Sequence, residues 1–246
     1  MALWEYIALL VGVLISGGIA LAIKTESKVT VQILLSFSGA YILGITVLHL
    51  MPSVFSGDFE TASFWLLGGF FIQLLLEQLS KGVEHGHIHA HPGAKPGFAI
   101  SIMLGLCLHA FIEGLPLSNY TDFHNALHSH GHDSEDHHLL FGIILHKIPA
   151  AFALMILFIK SGYSKNMAWL CLVIFASMSP LGALVTSNMH LDLAILANLV
   201  ALVVGSFLHI STTILFEADD KRQHAVSWRK LVVILAGLGL SMFTLH

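Results

Sequence analysis

The chain contains eight apolar runs, and almost all of them are long enough to cross a lipid bilayer. A membrane-spanning helix needs about 17–25 mostly apolar residues, because the hydrocarbon layer is about 30 Å thick. Of the 246 residues, 56% are hydrophobic and only 11% are charged, whereas soluble domains carry about 25% charged residues. The predicted spans are Trp4–Ile23, Val31–Met51, Ala62–Leu79, Phe98–Leu117, Leu139–Ile159, Ala168–Val185, Ala194–Phe216 and Leu231–Phe243. The sequence therefore predicts an all-α integral membrane protein, with one eight-helix transmembrane domain over residues 1–246.

The basic residues predict how these spans are oriented, because cytoplasmic loops are enriched in Lys and Arg. All but one of the 11 basic residues follow odd-numbered spans: Lys24, Lys28, Lys81, Lys95, Lys160, Lys165, Lys221, Arg222, Arg229 and Lys230. The exception is Lys147, inside span five. We therefore expect both termini to lie outside. The short loops and the lack of a targeting signal favour a bacterial inner membrane.

The remaining composition excludes two classes of protein. With 11 Lys and Arg against 15 Asp and Glu, the chain offers no basic surface for a nucleic acid. The two cysteines, Cys107 and Cys171, lie inside apolar runs, where they are expected to act as small core residues rather than as a disulfide. The unusual feature is the number of histidines, which is 17.

Many of these histidines fall in two predicted loops. The cytoplasmic loop, at about residues 80–97, contains His85, His87, His89 and His91. The outer loop, at about residues 118–138, contains His124, His128, His130 and His132 together with several acidic residues. Imidazole and carboxylate groups suit zinc and its neighbours. We expect weak, multi-site metal capture by loops without a defined fold, although solvated tracts with no fixed site remain an alternative.

A second group of ionisable residues lies inside the spans, where such residues are costly and mark functional sites. His109 and Glu113 are four residues apart in span four, so they share one face of a helix. His109 lies about 12 Å below the outer end of its span, and His146 lies about 10 Å below the outer end of span five, at roughly 1.5 Å per residue. These matching depths predict one metal site formed by His109, Glu113 and His146.

Other polar residues suggest a route to and from this site. His49 lies at the outer end of span two, Glu77 near the inner end of span three, and His209 in the inner half of span seven. Lys147 lies about 12 Å below the outer end of its span, which is far for a lysine to reach the surface. We expect Lys147 to lie near Glu113, because opposite charges lower the cost of each other's burial.

Four short segments resemble the Zrt/Irt-like (ZIP) family of metal transporters. They are HAFIEG at His109–Gly114, HKIPAA at His146–Ala151, HLMP at His49–Pro52 and SPLG at Ser179–Gly182. The resemblance covers the whole chain, including the eight spans and the His-rich cytoplasmic loop after span three. It implies uptake of Zn²⁺ or a related divalent ion toward the cytoplasm, with an elevator-like or rocking movement of helix bundles.

The chain departs from the two-metal centre of many family members. The positions that would complete the second metal site hold Ala110, Lys147, Ala150 and Ser179. None of these is a good metal ligand, so the resemblance implies a single site, with a fourth ligand from water or another side chain. We expect Lys147 to substitute for the second ion, and we include Ser179 with the pathway residues.

The leading hypothesis is therefore a single-site transporter with Zn²⁺ as its substrate, although Cd²⁺, Fe²⁺ and Mn²⁺ remain open. One alternative is a metal-responsive or structural membrane protein that has lost transport. A less favoured alternative is an intramembrane zinc hydrolase, because the chain has no HExxH motif; we expect that it is not an enzyme. The expected partners are the lipid bilayer and divalent ions. Proton coupling and homodimer formation stay open.

Overall fold

The structure is a computed structural model that describes residues 1–23, 28–56, 59–85, 93, 95–127, 137–216 and 228–243. All regular elements in these ranges are helical. The α-helices are α1 (Leu3–Ala22), α2 (Lys28–Ile45), α3 (Met51–Phe55), α4 (Phe59–Ser80), α5 (Pro96–Gly114), α6 (Tyr120–Leu127), α7 (His138–Lys160), α8 (Lys165–Ser187), α9 (Leu193–Phe216) and α10 (Trp228–Phe243). This confirms the predicted all-helical class.

Seven helical stretches of the described residues are long and apolar enough to cross a membrane, and they correspond to the first seven predicted spans. The eighth, α10, has 16 residues and is about 24 Å long. It packs against α2, where Gly237 lies against the Phe37 carbonyl and Gly44 against Ser241. Together the helices form a multi-pass membrane bundle. The outside location of both termini stays a prediction.

Helix α7 lies at the centre of the bundle. In its most apolar part, 72% of the residues are buried, which is the largest share among the seven stretches. It packs against α1, α2 and α8. The two titratable residues predicted inside span five, His146 and Lys147, are both buried on this helix. The fold therefore surrounds them with protein rather than lipid.

Glycines also allow α9 to approach α4 and α8 to approach α5 closely. A Cβ at Gly205 of α9 would overlap the carbonyl oxygen of Leu66 in α4, and one at Gly182 of α8 would overlap the carbonyl oxygen of Phe111 in α5. Small residues allow such backbone contact between membrane helices. These contacts bring α9 to α4 and α8 to α5, and the four helices contribute most of the polar side chains described below.

Helix α2 does not end at Met51, as the apolar run predicts. It continues through a π-helical turn, Thr46–Leu50, directly into α3. His49 lies within this turn. Such π-turns widen a helix locally and often occur at functional positions.

The prediction that both His-rich loops lack a defined fold is partly wrong. In the inner loop, Val83–His85 forms a buried 3₁₀ turn. In the outer loop, Leu117–Asn119 forms a 3₁₀ turn that leads into α6. Apolar anchors explain both departures, since Val83 of the inner loop and Tyr120 and Phe123 of the outer loop are at most 3% exposed.

Candidate metal centre

The outer cluster consists of His109 and Glu113 from α5 and His146 from α7, all of them buried. His109 Nε2 lies 3.2 Å from Glu113 Oε2, and His146 Nε2 lies 3.0 Å from the same oxygen. The two Nε2 atoms are 3.4 Å apart. The structure therefore brings together the three residues that the sequence selects, with one potential ligand atom of each pointing to a common centre.

The spacing of these atoms suits zinc. Two ligands of a tetrahedral zinc ion, each about 2.0 Å from the metal, are about 3.3 Å apart. The three observed distances are 3.0, 3.2 and 3.4 Å. Two imidazoles and one carboxylate leave a fourth position open, which is typical of zinc sites that exchange ligands.

A backbone contact orients the His146 ring. Its Nδ1 lies 3.1 Å from the carbonyl oxygen of Gly142. A carbonyl oxygen can only accept a hydrogen bond, so Nδ1 donates in this contact, and the neutral ring then has its Nε2 lone pair available for a metal. Hydrogen bonds of this kind orient metal-binding histidines in many proteins.

The second oxygen of Glu113 has different neighbours. Lys147 Nζ lies 3.0 Å from Glu113 Oε1, and the Ser179 hydroxyl lies 2.8 Å from the same atom. Lys147 also donates a hydrogen bond to Ser179, and its ammonium lies 5.0 Å from the centre of the Phe175 ring. The expected proximity of Lys147 and Glu113 is confirmed. One carboxylate thus faces the imidazoles on one side and an ammonium on the other.

The inner cluster consists of Glu77, His85 and His209, whose ligand atoms all lie within 4.8 Å of one another. Glu77 Oε2 is 2.6 Å from His209 Nε2, and Glu77 Oε1 is 3.6 Å from His85 Nε2. The sequence places Glu77 and His209 on the route and assigns His85 to a capture loop. In the structure His85 belongs to this cluster, because the turn that carries it is buried between helices.

The other predicted residues lie elsewhere. The His49 ring packs against that of His138, with 4.3 Å between the ring centres and a tilt of 43°, and His124 lies on α6 beside Tyr120. Neither residue belongs to one of the two clusters. The remaining loop candidates lie outside the described residues: His87, His89, His91, His128, His130 and His132.

Three residues beside the clusters are missing from the sequence interpretation: Gln73, Glu84 and Ser206. Gln73 is buried four residues before Glu77 on α4, and Ser206 is buried three residues before His209 on α9. That spacing places each pair on one helical face and could have revealed both residues. Nothing in the spacing pointed to Glu84, because its role depends on the fold of the inner loop.

Helical stretches of membrane-spanning length around a buried His–Glu–His cluster define an integral membrane protein with a candidate metal centre inside the helix bundle. Residues 84–245 match the family described as ZIP zinc transporter. This match covers more than half of the chain, and the protein belongs to the ZIP family. The predicted membership of the ZIP family is thereby confirmed; three of the four short segments lie within the matched residues, and HLMP at His49–Pro52 lies before them.

Curated relatives agree with this assignment. The chain is 30% identical to zinc transporter ZIP9-B of Xenopus laevis over 157 residues. This aligned segment covers 60% of the chain and 49% of the relative. It is 28% identical to zinc transporter ZIP9 of Micropogonias undulatus over 155 residues. This segment covers 60% of the chain and 48% of that protein. The chain thus matches about half the length of these relatives.

Proposed function

We propose that this protein transports a divalent transition-metal cation, Zn²⁺ above all, across the membrane toward the cytoplasm. The observation that carries the proposal is the outer cluster, where three ligand atoms lie 3.0–3.4 Å apart, about the separation that tetrahedral zinc requires. Membership of the ZIP family and the similarity to proteins named zinc transporters support the same substrate. In this proposal His109, Glu113 and His146 are the ligands.

We propose the inner cluster as a second binding site for the transported ion. His209 lies one helical turn beyond Ser206, whose hydroxyl contacts His109, so the two clusters adjoin the same face of α9. The side chain of His209 is buried and contacts Glu77, and the Glu77 side chain is 18% exposed. A metal that leaves the outer cluster would meet two imidazoles and a carboxylate before it reached the cytoplasm. His49 would lie on the route of the ion, and the loop histidines would raise the local metal concentration.

In the proposed mechanism Lys147 substitutes for a second metal ion. Its ammonium contacts Glu113 Oε1 and the Ser179 hydroxyl, which would be ligand positions in a two-metal centre. A fixed positive charge there reduces the net negative charge that attracts zinc to Glu113 Oε2. Weaker binding favours release, and a transport site must release its ion as well as bind it.

The alternatives are less well supported. A hydrolase needs a general base beside the metal-bound water, and the second oxygen of Glu113 already contacts Lys147 and Ser179. We therefore propose a transporter rather than an enzyme. Cd²⁺, Fe²⁺ and Mn²⁺ are secondary candidate substrates. A bacterial inner membrane, outside termini, homodimer formation and the lack of nucleic-acid binding remain proposals from the sequence alone.

Uptake into proteoliposomes tests the proposed function. Glu113→Ala should abolish zinc uptake, because it removes the carboxylate that both imidazoles contact. Glu113→Gln keeps the volume of the side chain, so it should fold normally and should still lose zinc uptake. It therefore separates loss of the carboxylate from loss of folding. Glu60→Ala, at an exposed position of α4, is the matched control and should transport normally.

Zinc binding by the purified variants completes the test. Loss of both binding and uptake in Glu113→Gln, with normal insertion into the membrane, would support the proposal. Native uptake in that variant would place the transport site elsewhere. Binding without any uptake by the unmodified protein would instead favour the metal-responsive alternative.

A further inference from the structure

A chain of buried polar side chains runs from the outer cluster to the inner loop. Ser206 Oγ lies 3.3 Å from His109 Nδ1 and donates a hydrogen bond to Gln73 Oε1 at 3.1 Å. Gln73 Nε2 in turn donates to Glu84 Oε2 at 2.6 Å. Ser206, Gln73 and Glu84 are at most 5% exposed. The chain therefore connects the 3₁₀ turn Val83–His85 with a residue of the candidate metal centre.

The chemistry of these groups fixes the direction of every hydrogen bond. A carboxylate only accepts, so Gln73 presents its NH₂ group to Glu84 and its carbonyl oxygen to Ser206. Ser206 then donates its single hydroxyl proton to the carbonyl oxygen of Gln73, so it can only accept a hydrogen bond from His109. His109 therefore carries a proton on Nδ1, so the neutral ring keeps its Nε2 lone pair on the side of Glu113 and His146.

We propose that Glu84, Gln73 and Ser206 are positioning residues that hold the His109 imidazole in the tautomer that binds metal. The inference rests on the proposed function of the outer cluster. Without Gln73, the Ser206 hydroxyl is free to donate to Nδ1, and the imidazole proton then moves to Nε2, where it blocks the ligand atom. Residues that orient metal-binding histidines commonly change metal affinity by about 10–100-fold.

The location of Glu84 links the two clusters. Glu84 and His85 are neighbours on one buried turn, and His85 belongs to the inner cluster. One turn of the inner loop thus supports a ligand of the outer cluster and contributes a candidate ligand of the inner one.

Zinc affinity of the purified full-length protein is the first test. Ser206→Ala and Gln73→Leu should each weaken zinc binding about tenfold or more, and Glu84→Gln should weaken it less, because a neutral amide no longer forces Gln73 to donate. The matched controls are Ser211→Ala, another buried serine of α9, and Gln78→Leu, an exposed residue of α4. Both controls should bind zinc within about twofold of the unmodified protein.

The tautomer of His109 is the second test, and a loss of packing alone would not change it. Nitrogen-15 NMR of histidine-labelled, zinc-free protein, with the His109 signals assigned from the His109→Ala variant, should show the Nδ1–H form. Gln73→Leu should shift His109 toward the Nε2–H form. Ser206→Thr keeps the hydroxyl and should keep both the native tautomer and the native affinity.

The outcomes separate this inference from the proposed function. If His109→Ala loses zinc binding but Ser206→Ala and Gln73→Leu bind normally, the inference is wrong and the metal centre stands. If His109→Ala itself binds zinc normally, the proposed centre is wrong as well. An unchanged Nδ1–H signal in Gln73→Leu would also overturn the inference, whatever the affinity.

Discussion

Replacement of Lys147 should strengthen metal binding at the outer cluster and slow transport. Its Nζ lies 3.0 Å from Glu113 Oε1, which places it about 5 Å from a zinc ion bound about 2.0 Å from the other carboxylate oxygen. A single and a double positive charge at that distance repel by about 6–7 kcal/mol at an effective dielectric constant of 20. The ammonium of Lys147 therefore opposes binding of the metal.

The neutral variant Lys147→Met keeps most of the side-chain volume and removes the charge. Relaxation and water entry reduce the repulsion several-fold, but even a residual of about 1.4 kcal/mol is a tenfold change in affinity. We therefore expect Lys147→Met to bind one zinc ion at least tenfold more tightly, with a lower maximal uptake rate. Lys147→Glu adds a carboxylate beside Glu113 and Ser179, and it should bind up to two ions.

Calorimetric titration and elemental analysis of the purified proteins measure affinity and stoichiometry, and proteoliposome uptake measures the rate. Lys160→Met, at an exposed position near the end of the same helix, is the control and should change neither quantity. Unchanged affinity in Lys147→Met together with a single ion in Lys147→Glu would falsify the assigned role of the lysine.

Three further predictions concern the exit route, the inner loop and the packing. Glu77→Gln or His209→Ala should lower the maximal uptake rate more than it changes zinc affinity at the outer cluster, and equal loss of both would argue against a separate inner site. Deletion of residues 86–91 should alter the apparent affinity in uptake assays but largely preserve the maximal rate; complete loss of transport in a normally inserted protein would contradict this. Gly205→Ala should lower the free energy of unfolding by about 1–3 kcal/mol, because its Cβ would overlap the Leu66 carbonyl oxygen. Gly239 faces open space, so Gly239→Ala should show the thermal unfolding of the native protein.

The outer cluster could be predicted because its signals are local. His109 and Glu113 are four residues apart, and helical geometry alone places them on one face. The depth of His146 followed from the length of its span, since each helical residue advances about 1.5 Å. The position of Lys147 was predictable for a similar reason, because a buried ammonium needs a nearby carboxylate and Glu113 was at the right depth.

The inner cluster and its link to His109 could not be predicted in the same way. They join α4, α9 and a turn of the inner loop, and the rotation of each helix about its axis depends on packing rather than on sequence spacing. Close contacts at Gly205 with Leu66 and at Gly182 with Phe111 fix two of these rotations. A pattern of alternating histidines also gave no sign that one of them, His85, would be buried.

The sequence by itself determined the membrane class, the first seven spans and the three residues that meet in the outer cluster, because bilayer thickness and helical periodicity act on short stretches of chain. It also carried the likeness to the ZIP family in a few adjacent residues. Only the tertiary structure decided that Glu84, Gln73 and Ser206 meet behind His109, and that His85 meets Glu77. Those contacts join residues far apart in the chain, and they depend on how closely packed helices orient their polar faces toward each other.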